Sequence, residues 1–262
     1  MGGTGQTGGM AADKRISWLH DVRPADWIES RLHAFCVDTG SIIPEGFDAY
    51  CRIFHPVQTR EPEAASRTWA EVATENGRVV HPGMQIHMIW HPVGSRPLKY
   101  DLNDYLNNLA WGELPLPERT IFVEVLRPHT TTPGSCWFCV WEGFGSIDFD
   151  GVSERVHLPE RDYVLYAGPI EVALATLDTG PAQFASDPTV QPWNTQSPNL
   201  WWPDDRSWFV ATEIDHAWTY VGGSEALIDS ILNADGLEAL PVHISDSPFI
   251  DGDDINAALD VQ

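Results

Sequence analysis

The stretch from Leu200 to Leu240, LWWPDDRSWFVATEIDHAWTYVGGSEALIDSILNADGLEAL, constrains the fold more than any other. It predicts strand, turn, short strand and capped helix in close succession. Trp208 to Ile214 has the aromatic and β-branched content of a strand, and Trp218 to Val221 that of a second. Gly222-Gly223-Ser224 leads into a helix capped by the Ser224 hydroxyl, with Ala226, Leu227, Ser230 and Ile231 inward. Asn233 and Gly236 stop that helix, and Pro241 prevents its resumption.

The rest of the chain adds elements irregularly. Pro24 to Phe35 reads as a helix with Trp27, Ile28, Leu32 and Phe35 on one face. Phe47 to His55 reads as a strand, Pro62 to Glu75 as a short helix, and Gln85 to His91 as a second strand. The two strand ends, Ile53-Phe54-His55-Pro56-Val57 and Ile89-Trp90-His91-Pro92-Val93, match at four of five positions, which suggests two strands leaving the sheet alike. Asp101 to Trp111 has a helical stripe of Leu102, Tyr105, Leu106 and Leu109. Pro117 to Leu126 carries both signals; the proline in its first turn favours helix. Cys136 to Trp141, CWFCVW, is a buried strand bounded by Gly134 and Gly143. Phe144 to Glu160 reads as loop, Asp162 to Ala167 as strand, and the stretch after Gly168-Pro169 as a helix through Leu177. Residues 180–199 have no periodicity and read as a lid or strap.

Five or six strands interleaved unevenly with helices exclude a doubly wound α/β fold. The expectation is an α+β domain over residues 14–243, with a mixed or antiparallel sheet of five to six strands and helices packed on its faces. Two lobes joined by residues 180–199 is the alternative. Residues 1–13 are Gly-rich and lack a phosphate-loop ending, so a disordered tail is expected. Residues 244–262 read as an acidic tail, with one helix from Asp253 to Leu259.

Charge narrows the partners. The chain has 15 Lys+Arg against 38 Asp+Glu, a formal net charge of −23. Such a surface repels phosphate backbones and anionic membranes, so neither nucleic acid nor a membrane is expected as partner. A basic protein partner fits the sign. No apolar run reaches the ~20 residues of a membrane span, and no signal core opens the sequence. A soluble, cytoplasmic protein with reduced thiols at Cys36, Cys51, Cys136 and Cys139 is expected.

Three constellations could carry chemistry. With a period of two, Trp208, Val210, Thr212 and Ile214 face one way along their strand, and Phe209, Ala211, Glu213 and Asp215 the other. Glu213 and Asp215 then sit about 6–7 Å apart, a spacing suited to paired acid and base roles. Asp204 is the third candidate carboxylate. Trp201, Trp202, Asp205 and Arg206 are candidate binding residues, the indoles as stacking platforms. His55, His87 and His91 are candidate metal ligands if they converge at one rim. Cys136 and Cys139 have redox-motif spacing, but a strand points their thiols to opposite faces, so they read as core cysteines. No Walker, dinucleotide or nucleophile-elbow pattern occurs, so no cofactor is expected. The run from Asp251 to Asp254 lacks the ligand spacing of a calcium loop.

The segments Trp201-Trp202-Pro203-Asp204-Asp205-Arg206-Ser207-Trp208, Ala211-Thr212-Glu213-Ile214-Asp215, Cys136-Trp137-Phe138-Cys139-Val140-Trp141-Glu142-Gly143 and Tyr163 to Pro169 resemble an uncharacterised family of bacterial proteins. The resemblance runs from about Leu98 to Pro241 and implies one domain, with no activity attached. Three readings follow. The first is a non-catalytic binding protein, immunity- or inhibitor-like toward a basic partner. The second is a hydrolase or carbohydrate-directed protein using Glu213, Asp215 and the tryptophans. The third is a metal-dependent enzyme built on the histidines.

Overall fold

The computed structural model describes residues 17–58, 66–95, 108–145, 147, 149, 151–175, 177 and 196–260. Among these residues eight strands form one sheet: β1 (Ala49–Phe54), β2 (Cys136–Trp141), β3 (Val156–Leu158), β4 (Arg161–Gly168), β5 (Leu200–Pro203), β6 (Phe209–Ala211), β7 (Trp218–Gly223) and β8 (Glu238–Val242). Their order is β3-β4-β2-β5-β6-β7-β1-β8, and every neighbouring pair is antiparallel. The described helices are α1 (Trp69–Glu75), α2 (Ile86–Ile89), α3 (Leu116–Leu126), α4 (Glu225–Leu232) and α5 (Asp254–Leu259). The class is α+β as expected, with eight strands rather than five or six. No helix among the described residues is long and apolar enough to cross a membrane.

The sheet is covered on both faces, which explains its aromatic content. One core lies against α3, α4 and the 3-10 turn Ile170–Leu174, and contains Cys136, Phe138, Val140, Trp201, Val210 and Val221. The other lies against α1, α2 and the turns around Trp27, and contains Cys139, Leu165, Trp202, Phe209 and Trp218. Alternation along a strand therefore sends successive residues into two different cores. Trp201 and Trp202 are 2% and 0% exposed. Burial raises the Cys139 thiol well above its ordinary pKa and takes Cys136 to about 12. Both are packing residues on opposite faces.

Local chemistry accounts for where three of the helices start, α1 later than its expected start at Pro62. Thr68 accepts from the Glu71 N–H while the Glu71 carboxylate accepts from the Thr68 N–H, a reciprocal cap that starts α1. The Ser224 hydroxyl accepts from Leu227 N–H and starts α4. Pro115 and Pro117 open α3, resolving the ambiguous stretch in favour of helix.

Three strands were missed. β3 is three residues long and pairs with β4 across a turn in which Glu160 has a φ of 61°. β5 is a four-residue strand ending at Pro203. β8 contains Pro241, which a strand tolerates at the edge of a sheet, where β8 lies. Conversely, the expected strand Gln85–His91 is a helix, α2. The Asp253 carboxylate accepts the Gln85 N–H, and the Gln85 carbonyl accepts from Met88 and Ile89, which closes a helical turn. The matching pentapeptides therefore leave different kinds of element. The expected helix Pro24–Phe35 is two 3-10 turns, Arg23–Ala25 and Glu29–Arg31, because Leu32 is extended and Arg31 gives its carbonyl to Glu45.

Residues 244–260 are not a tail. The Asp253 carboxylate is fully buried and holds His81, Gln85 and Asn256, while Asn256 binds the backbone of Val79. β2 and β5, on either side of residues 180–199, pair directly, so the sheet is not divided there into two lobes. The expected tail at 1–13, most of the helix expected at 101–111, and the strap up to residue 195 lie outside the described residues.

Candidate functional site

The sequence-derived candidates separate into three places. β5 and β6 form a hairpin whose register pairs Leu200 with Ala211 and Trp201 with Val210. Asp204, Asp205 and Arg206 make the turn at one end, while Glu213 and Asp215 lie past the other. Strand rise alone puts these groups roughly 13 Å apart or more. Asp204 therefore does not join the other two carboxylates.

The turn is held by its own hydrogen bonds. Asp204 accepts from Trp137 Nε1 at 3.0 Å. Asp205 accepts from Thr130 Oγ1, from the Thr131 N–H and hydroxyl, and from the Ser207 N–H. Arg206 has a φ of 53° and lies over the Trp27 ring at 5.2 Å. For Asp205, burial works to raise the pKa, but the bonds from Thr131 and Ser207 outweigh it and bring the group to about 2. Its folded pKa thus lies below the unfolded value of 3.8. The stabilisation is fully present above that unfolded value and is lost as pH falls toward 2. Asp205→Asn is expected to lose on the order of 1 kcal/mol at pH 7, given the group's exposure. The variant and the parent should converge only as pH falls to about 2 in urea unfolding; a constant offset at every pH would refute the assignment.

β6 ends at Ala211, three residues before the end of the strand expected from the sequence. Asn199 is the reason. Its buried side-chain amide donates to the carbonyls of Thr212 and Gly112. The Gly112 N–H in turn binds the His216 carbonyl. Gly112 has a φ of +70°, and a Cβ there would stand 2.7 Å from the Ile214 carbonyl oxygen, so only glycine allows this approach. Residues 213–216 are thus a turn pinned against Gly112, and strand parity does not orient Glu213 and Asp215.

The two carboxylates nevertheless meet, through Arg161 of β4. Arg161 Nε and Nη2 donate to Glu213 Oε1 at 3.1 and 2.8 Å, and Nη2 reaches Asp215 Oδ2 at 3.4 Å. All three line a cavity of about 240 Å³ between the sheet and the segment around Phe35. Tyr163 and His216 line the same end. Burial lowers the His216 pKa to about 3, so its imidazole is neutral at physiological pH. Arg161 was not among the sequence candidates; its signal, the lone cation of the DYVLYA strand's entry, is visible only once β4 is placed beside residue 213.

The candidate indoles are elsewhere. Trp202 stacks on Phe209 with centroids 5.6 Å apart, and Trp201 packs against Phe122, Phe138 and Trp208. Neither offers a face to solvent, which corrects the stacking-platform expectation. The histidines do not converge either. His55 is buried, with Nδ1 on the Ala110 carbonyl and Nε2 on Thr219 Oγ1, and burial lowers its pKa to about 4. His87 lies half-buried on α2, and His91 follows it. Among the described residues no three His, Cys, Asp or Glu side chains are grouped to hold a metal ion.

A second concavity is a groove of about 670 Å³ beside β8 and α4. Phe47, Tyr50, Ile228 and Leu232 form its apolar wall, and Asp48, Glu225 and Asp229 are exposed along it. Among the described residues these three carboxylates have no ion-pair partner. Glu225 also sits in the first turn of α4, where the helix dipole favours it. No family model matches the chain, and no curated protein or solved structure shows significant similarity to it.

Proposed function

We propose that this protein is a non-catalytic interaction protein that holds a basic segment of a protein partner in the groove beside β8 and α4. The observation that carries this reading is an apolar wall bordered by exposed carboxylates. Three exposed carboxylates without an ion-pair partner among the described residues, Asp48, Glu225 and Asp229, border a wall of Phe47, Tyr50, Ile228 and Leu232. The apolar wall would hold aromatic or aliphatic side chains of the partner, and the carboxylates would meet its Lys and Arg. A net charge of −23 steers such a partner from a distance. Inhibitor-like occupation of a basic surface is one form this would take. The hydrolase reading has less support, since Arg161 bonds both carboxylates and the indoles are buried.

The test is an array of synthetic peptides alternating basic and aromatic residues, with acidic and neutral counterparts. Basic peptides should bind at low salt and weaken steeply as salt rises. The double variant Asp48→Lys, Asp229→Lys should lose about 1–2 kcal/mol of that binding, mainly through a slower on-rate. Equal binding of acidic peptides, or no effect of the charge reversal, would sink the proposal.

A further inference from the structure

The cavity at Arg161 shares no lining residue with the acidic groove. It has an apolar body and one polar end, and the polar end has hydrogen-bonding capacity left over. Leu32, Phe35, Leu158, Leu200 and Phe249 supply the apolar wall. Arg161 stands 5.7 Å from the Phe35 centroid and so fixes the boundary between the two halves.

At the polar end the arginine is largely satisfied, by Glu213, Asp215 and the Glu160 carbonyl. The acceptors are not. One Arg161 charge against two carboxylates leaves the trio one negative charge in excess. Asp215 is 78% exposed and touches Arg161 through one oxygen at 3.4 Å. Tyr163 is 4% exposed, lines the cavity, and has no hydrogen-bond partner for its hydroxyl among the described residues. Burial and then the nearby Glu213 charge raise its pKa, so the phenol stays protonated. His216 Nδ1, at the same end, is buried without a hydrogen-bond partner among the described residues, and such a group is costly unless something completes it. The Tyr163 oxygen has lone pairs to accept with, and the carboxylates accept only. A donor-rich cation therefore completes this end, whereas an anion meets excess negative charge.

We propose that the cavity binds a small organic ammonium compound, its aryl or alkyl body against Phe35, Leu158 and Leu200 and its ammonium group at Asp215 and Tyr163. The volume of about 240 Å³ lies below the roughly 300–1,000 Å³ of drug-sized sites, so the ligand is the size of a simple aryl-alkyl amine. This site stands apart from the groove, and either can be present without the other.

Cys36 supplies the readout. It lines the cavity and is the one exposed cysteine of the four, so iodoacetamide should alkylate it selectively in the folded protein. Alkylation is followed by mass spectrometry against rising 2-phenylethylammonium, with 3-phenylpropionate and 2-phenylethanol as matched controls. The expected result is saturable protection of Cys36 by the amine, with much weaker protection by the alcohol and none by the carboxylate. Asp215→Asn should raise the half-protecting concentration about three- to fivefold, the scale of one partly exposed ion pair. Asp235→Asn, outside the cavity, should leave it unchanged. Leu158→Trp, which fills the apolar end, should abolish protection, with far-UV circular dichroism checking that the variant folds. No saturable protection, equal protection by all three compounds, or an unchanged Asp215→Asn value would overturn the proposal.

Discussion

Trp202→Ala is expected to destabilise the protein by about 3–5 kcal/mol, the range for deleting a buried large aromatic. Trp202 is fully buried, stacks on Phe209 and meets the Trp27 ring edge-on with centroids 6.1 Å apart. Its removal leaves a void between the sheet and the Trp27 segment that flanking strands cannot close. Part of the loss is the aromatic contacts, part the cavity. Urea unfolding should show a lower midpoint with an unchanged slope. A solvent-facing stacking platform would behave in the opposite way, keeping its midpoint and losing only ligand. An unaltered midpoint would therefore return Trp202 to the list of binding residues.

Asp253→Ala should cost a similar amount, about 3–5 kcal/mol, because it breaks a buried charged network by removing its centre. Asp253 Oδ1 accepts from the Asn256 N–H and pairs with His81 Nε2 at 2.8 Å. Oδ2 accepts from the Gln85 N–H and from Asn256 Nδ2. Alanine leaves these donors without partners in a space closed to water; α5 loses its side-chain cap, and the Gln85 N–H ahead of α2 loses its acceptor. Asp253→Asn should fall between alanine and the parent, since one oxygen remains an acceptor. Hydrogen exchange should locate the effect at residues 81–89. If Asp253→Ala unfolds at the parent's denaturant concentration, the C-terminal segment does not dock as described.

Both predictions concern residues that a reading of local pattern misplaced. Trp201 and Trp202 read as candidate stacking platforms because they sit beside Asp204, Asp205 and Arg206 in the sequence. Their placement depends on the sheet being covered on both faces, and coverage comes from α1, α3 and the Trp27 turns, distant in the chain. Asp253 looked like part of a solvated acidic end. Apart from the nearby Asn256, its partners His81 and Gln85 are about 170 residues away, and no window of neighbouring residues contains them.

The candidate site divides along the same line. Glu213 and Asp215 were legible as a pair, since two carboxylates two residues apart stay close in most backbone geometries. That Arg161 bridges them, that Tyr163 and His216 share their cavity, and that Asp204 is excluded all follow from strand order. The acidic groove was legible only as net charge. Asp48 and Asp229 come together because β1 lies between β7 and β8 while α4 packs over them.

What the sequence determined by itself is local: the capped start of α4, the proline-led start of α3, the apolar run of β2 with its two thiols on opposite faces, and the α+β class. Each rests on contacts within a few residues. What the tertiary structure alone decided is where strands end and what turns face. Asn199 and Gly112 cut β6 short by taking the Thr212 and His216 carbonyls, and Asp253 turned an expected strand into α2. Backbone hydrogen bonds must be satisfied somewhere, and in these places the partner comes from a distant segment.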